Sequence, residues 1–160
     1  MKILNTLPIN NSKLQFITTN ETLCPFCHQK SNIVPSSAVN HFIRDDLKKN
    51  ISSLEGFRFC DNKICQVVYF KKDITIKQSQ IKYSIGIKEG SKPATICFCF
   101  NWTKEKIKKQ IDECQNSTAL IEIKKNMNNG LCNCEVNNPR GKCCMKDIKK
   151  TIDEIKVNYI

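Results

Sequence analysis

Eleven cysteines in 160 residues constrain this chain most, because they fall into two separate blocks. The first holds Cys24, Cys27, Cys60 and Cys65; the second runs from Cys97 to Cys144. A hydrophobic fraction of 40%, with eight Phe, three Tyr and one Trp, gives two small lobes only thin cores. Lobes of that kind need staples, either disulfides or metals, and the compartment decides between them. The N-terminal stretch MKILNTLPINNSKLQFITTN has isolated apolar pairs broken by Pro8, without the continuous apolar core of an export signal. No run is long enough to span a bilayer. The expectation is a cytoplasmic, reduced protein without membrane insertion, in which clustered cysteines mean metal or redox chemistry. The odd count agrees, since full disulfide pairing would strand one thiol.

The pentapeptide Cys24-Pro25-Phe26-Cys27-His28 matches both the c-type haem attachment signature and half of a zinc site. Haem attachment needs an oxidising, exported context and leaves Cys60 and Cys65 without a role. Zinc uses all four thiols. Cys24-x2-Cys27 and Cys60-x4-Cys65 each place two sulfurs on a short turn, Pro25 pre-sets the first turn, and Asp61-Asn62 favours the second. Binding the two pairs to one ion replaces the missing core. Zinc on Cys24, Cys27, Cys60 and Cys65 is therefore expected, with His28 a bystander on the turn and His41 a packed residue. A closed four-thiolate site is structural, and no three-ligand pattern with a nearby general base accompanies it. No catalytic residue is assigned, and the chain does not read as an enzyme beyond one-electron metal reduction.

The expected architecture is α+β: a zinc-stapled α+β lobe over 20–88, then an all-helical lobe over 94–160. Between them Lys88-Glu89-Gly90-Ser91-Lys92-Pro93 has the composition of a linker. In the first lobe, Ser36 or Ser37 caps a helix carrying Val39, Phe42, Ile43 and Leu47. Strands are expected at 57–59, 67–70, 74–76 and 83–87. In the second, Thr103 caps a helix with Ile107, Ile111 and Cys114 on its inner face. Ser117 caps another with Leu120, Ile121 and Ile123, ending at Asn129-Gly130, and a third starts near Cys144 with Ile148, Ile152 and Ile155.

The second block offers six thiols, Cys97, Cys99, Cys132, Cys134, Cys143 and Cys144, where a [2Fe-2S] cluster needs four. Cys97-x-Cys99 followed by Trp102-Thr103-Lys104-Glu105-x-Ile107 resembles the helical [2Fe-2S] domain of bacterioferritin-associated ferredoxin. Further ordered motifs resemble the N-terminal region of CopZ-type copper chaperones. These are Cys24-Pro25-x-Cys27, Phe59-Cys60-x4-Cys65-x-Val67-Val68-Tyr69-Phe70, Gly86-Ile87-Lys88-Glu89, and Cys134-x3-Asn138-Pro139-x-Gly141-x-Cys143-Cys144. The resemblance implies zinc on the first four cysteines and a [2Fe-2S] cluster on Cys97, Cys99, Cys134 and Cys144. Cys144 is preferred over Cys143 because it would sit at a helix N-terminus, where the dipole favours an anionic cluster. Cys132 is then an extra thiol and Cys114 a core residue. The Met-x-Cys-x-x-Cys loop of the family's copper-carrying domain does not occur in this sequence, so copper carriage by that domain is not transferred.

A formal charge of +11 raises nucleic acid as a partner. The lysines are spread along the chain, however, and two thiolate-bound centres of about −2 each lower the balance to roughly +7. The leading expectation is an electron-transfer protein of copper or metal homeostasis, with structural zinc and a [2Fe-2S] cluster. Its partners would be copper or a copper-handling protein (chaperone or transporter) and a redox partner. Lys104, Arg140, Lys142 and Lys146 would raise the potential of the cluster. The competing reading is a basic zinc-binding module that touches nucleic acid.

Overall fold

The computed structural model describes residues 21–158. The N-terminal stretch on which the export reading rests lies outside the described residues. The first helix, α1 (Ser36–Phe42), is capped by Pro35 and buries Ala38, Val39 and Phe42. It stops earlier than its apolar pattern predicts. Ile43 is extended (φ −69°, ψ 141°) and bridges Ile81, Lys82 N–H donates to Phe42 C=O at 2.8 Å, and Arg44 N–H donates to Gln80 C=O at 3.2 Å. Pairing with a distant segment thus satisfies the backbone that a longer helix would have used, and a separate turn, α2 (Asp45–Lys48), follows. Neither Ser36 nor Ser37 makes a side-chain cap bond.

Strands β1 (Arg58–Phe59), β2 (Val67–Lys71) and β3 (Ile74–Lys77) form an antiparallel sheet in that order. Four successive residues of β2, Val67 to Phe70, are buried, so both faces of this strand are covered. A register shift between Val67 and Tyr69 makes this possible. It turns Val68 and Tyr69 into the main core with Val39, Phe42, Phe57 and Phe59, while Val67 and Phe70 pack on the first cysteine block. Segment 83–87 is not a strand. Gly86 instead lies so close to the backbone of Ala94 and Thr95 that any Cβ would collide with it, and its N–H donates to Thr95 C=O at 2.8 Å.

The second lobe departs from the all-helical expectation by opening on a two-stranded ribbon, β4 (Thr95–Cys97) and β5 (Trp102–Thr103). Four helices follow: α3 (Lys104–Cys114), α4 (Ala119–Asn128), the single turn α5 (Cys134–Asn137) and α6 (Met145–Val157). Ile96, Trp102, Ile107, Ile111, Ile123, Ile148 and Ile152 fill the core they share. Cys114 is exposed and not in that core. The packed stripe of α3 ends at Ile111, whose C=O accepts from Gln115 N–H at 2.9 Å as Gln115 turns the chain into the left-handed region (φ 58°). Ile121, read as a core position, is 71% exposed on the outer face of α4.

The two cores meet. Ile87 packs against both, and Phe98 stands edge-on to Phe42 with ring centroids 4.9 Å apart. The segment read as a linker begins with a lysine that is only 2% exposed. No helix among the described residues is long and apolar enough to cross a membrane.

Candidate metal centre

Two tight turns bring the first four cysteines together. Cys24 N–H donates to Gln29 C=O and His28 N–H to Cys24 C=O, at 3.0 and 2.9 Å, and an isolated bridge between Leu23 and Lys30 closes the loop. His28 takes the left-handed conformation (φ 57°) and is exposed, as expected of a bystander. On the other side, Asn62 Oδ1 accepts from Ile64 N–H at 3.1 Å and Asn62 C=O from Cys65 N–H at 3.3 Å. That is the turn chemistry that Asp61-Asn62 predicts.

The four sulfurs lie within 4.8 Å of one another, with Cys27–Cys60 at 3.5 Å and Cys24–Cys65 at 4.0 Å. Tetrahedral thiolates about 2.3 Å from one ion stand about 3.8 Å apart, so the site fits zinc without rearrangement. The backbone N–H groups of Gln29, Asn62 and Val67 favour the thiolate forms of Cys27, Cys60 and Cys65 respectively. Burial pushes the Cys60 and Cys65 thiols up. Burial raises Cys27 as well, but hydrogen bonds from Gln29, Cys60, Cys24 and Asn62 outweigh it and bring this thiol down to about 7. Without an ion, one thiolate is therefore favoured at its neighbours' expense. A bound cation removes that competition.

Sequence reasoning missed Lys88. Its ammonium donates to the carbonyls of Asn62 at 2.8 Å, Cys65 at 3.2 Å and Val67 at 2.8 Å, so all three of its donors are used. It also lies 5.6 Å from the Phe59 ring centroid. Burial lowers its pKa, while the four thiols oppose that by favouring the charged form. Lys88 thus places a positive charge behind the tetrathiolate. The signal that could have found it is its place in the Gly86-Ile87-Lys88-Glu89 motif, whose composition otherwise reads as the start of a linker.

The second cysteine block is arranged differently. Cys97 ends β4, Cys99 sits in the ribbon turn, Cys134 opens α5 and Cys144 caps α6. Cys99 lies 3.9 Å from Cys134, and Cys97 and Cys144 perturb each other's titration. The hydrogen bond from Cys144 brings Cys97 down to about 7 against its burial, while the same bond and burial push Cys144 up. Burial, then repulsion from Cys99, pushes Cys134 up to about 12. Cys99 Sγ accepts from Asn133 N–H at 3.4 Å and from Asn137 Nδ2 at 3.8 Å, two donors the sequence reading also missed. Cys143 is exposed and Cys132 half-buried. Arg140 is not a free positive charge beside these thiols, as the sequence suggested. Its Nε meets Asp61 Oδ1 at 2.6 Å and its Nη1 meets Asp147 Oδ2 at 2.7 Å.

Residues 21–82 match a family model described as a zinc binding domain, zf_CopZ. Over that stretch the chain resembles a CopZ-type zinc-binding region. It is 30% identical over 121 residues to "Copper chaperone CopZ" of Archaeoglobus fulgidus, an alignment covering 76% of this chain and 57% of that relative's length. The fold is similar to that of the X-ray structure of the Archaeoglobus fulgidus CopZ N-terminal domain, with a TM-score of 0.67 and 26% identity. That alignment covers 80% of this chain and 95% of the solved one. The four converging thiols of the CopZ-type region and the matched zinc binding domain together support Zn2+ and give no support to haem at CPFCH.

Proposed function

We propose that this protein is a two-centre metalloprotein of copper handling. A structural zinc on Cys24, Cys27, Cys60 and Cys65 serves the lobe over 20–88. A [2Fe-2S] cluster on Cys97, Cys99, Cys134 and Cys144 serves the lobe over 94–160. The observation that carries the second centre is the Cys99–Cys134 pair at 3.9 Å with Cys97 and Cys144 beside it, four thiols that gather without all converging as the zinc thiols do. A single tetrahedral ion needs four sulfurs mutually close, as at the zinc site, whereas two bridged irons need two close pairs, one for each iron. When bound, the cluster supplies one-electron chemistry at a potential set by its surroundings.

The residues of the chain shape that potential. The Asn133 and Asn137 donors on Cys99 draw charge from the sulfur and favour the reduced form. Cys97 and Cys144 are buried, which limits solvent access on that side, while Cys99 and Cys134 are partly open and face the route by which electrons enter and leave. Cys144 caps α6, whose first-turn N–H groups have no intrahelical acceptors and suit an anionic group. The expected task is cytoplasmic electron transfer in metal homeostasis, including one-electron reduction of Cu(II) to Cu(I) with the electron drawn from a redox partner protein. The product then suits soft thiolate ligands. The similarity to a copper chaperone supports copper, or a copper-handling chaperone or transporter, as the partner.

Aerobically purified protein should be reddish-brown, contain zinc and iron in a ratio of about 1:2, and bleach under dithionite. Cys134→Ser and Cys144→Ser should each lose the native spectrum and keep the zinc. A colourless protein holding two zinc ions and retained on DNA in a salt-dependent way would support the basic zinc module instead.

A further inference from the structure

We infer that Cys143 and Met127 form a separate, solvent-facing sulfur site for a soft monovalent cation. The inference rests on the cluster reading above, which uses Cys144 and leaves Cys143 free. Met127 lies in the last turn of α4 and Cys143 in the loop before α6, yet Cys143 Sγ lies 3.8 Å from Met127 Sδ. Two metal–sulfur bonds of about 2.3 Å can span that gap at one ion. Cys143 is exposed and Met127 half-buried, so an ion can reach the pair from solvent without opening the fold.

The donor set defines the ligand. A thiolate and a thioether are both soft and polarizable, which selects Cu(I) or a chemical equivalent such as Ag(I) over zinc, magnesium or calcium. Cys143 and Met127 thus make a low-coordinate, solvent-facing sulfur site one residue from Cys144, suited to receiving or releasing a cation rather than burying it.

The test is an anaerobic titration of the zinc- and cluster-loaded protein with Ag+, following bound silver, zinc and the visible spectrum together. Wild type should retain one tight equivalent of silver with zinc and spectrum unchanged. Met127→Leu, which keeps the side chain apolar and of similar size, should weaken that equivalent by about tenfold or more. Cys143→Ser should lose it, and Cys114→Ser, at the exposed end of α3, should retain it. Met127→Leu binding silver as wild type does, or silver uptake that expels zinc, overturns the site. If Cys143→Ser bleaches the spectrum, Cys143 is a cluster ligand and the site is equally wrong. A colourless wild type overturns the cluster reading and this assignment together. A coloured wild type with an unaffected Met127→Leu overturns this assignment alone.

Discussion

Lys88 is 2% exposed, and its three donors end on carbonyls of the strand and turn that carry Cys60 and Cys65. Replacing it with Met keeps the length and loses the donors, so three carbonyls each lose a hydrogen bond and the tetrathiolate loses its counter-charge. Lys88→Met should destabilise the protein by about 3 kcal/mol and weaken zinc binding by about tenfold or more. Urea titration and competition with a zinc chelator read the two effects separately, and unchanged zinc affinity would reduce Lys88 to a packing residue. His41 makes a pH-dependent prediction. Burial, then repulsion from Lys82 and Lys48, lowers its pKa, and its ring stacks on Tyr83 at 5.1 Å. The fold thus prefers neutral imidazole. Below about pH 6.5 the unfolded chain binds the extra proton more readily, and stability falls as pH drops from there towards the folded value. His41→Gln should flatten this part of the stability–pH curve between pH 7 and 5, and an identical slope in both proteins would reject the assignment. The cysteine spacing announced the four converging thiols of the first block because two short turns are local chemistry. Lys88 was missed because its partners lie more than twenty residues away.

At the scale of elements, the signals that could be read from sequence were those satisfied within one segment. Thr103 is one: its Oγ1 accepts from Lys106 N–H at 3.1 Å and starts α3, as its position before a Glu-containing first turn predicts. Thr103→Ala should cost about 1 kcal/mol of stability, read as a lower denaturation midpoint with an unchanged urea dependence. A change near zero would show that the ribbon alone fixes the helix start. The long isoleucine run of α6 was legible for the same reason. The failures share the opposite cause. Ile43 carries a helical pattern but pairs with Ile81, and segment 83–87 carries a strand pattern but gives up Gly86 to the backbone of Ala94 and Thr95. The ribbon β4–β5 was missed because Cys97-Phe98-Cys99 is too short to show periodicity. In each case tertiary contact outweighed local preference.

At the scale of the whole molecule, the loop between Cys134 and Cys144 is shaped by residues of the other lobe. Tyr69 Oη, buried in β2, donates to Pro139 C=O at 2.7 Å. Ser37 Oγ donates to Glu135 C=O at 3.3 Å, and Gly141 (φ 64°) presses so closely on the Pro35 ring that a side chain there would collide with it. Arg140 completes the contact, with one carboxylate partner, Asp61, next to Cys60 and the other, Asp147, in the first turn of α6. On the two-centre reading, zinc would hold the turn that carries Asp61, so removing it should loosen Arg140 and, through it, the spacing of Cys134 and Cys144. Chelating zinc from the loaded protein should therefore speed the bleaching of the visible spectrum in air. Arg140→Gln should bleach faster even with zinc bound, and chelation should then add little, because the link is already cut. A cycle of Arg140→Gln and Asp61→Asn should return a coupling of about 0.5–3 kcal/mol in stability, the range for directly paired groups. Zinc loss that leaves the bleaching rate of wild type unchanged would mean that the zinc turn does not hold the thiols of the second lobe in place.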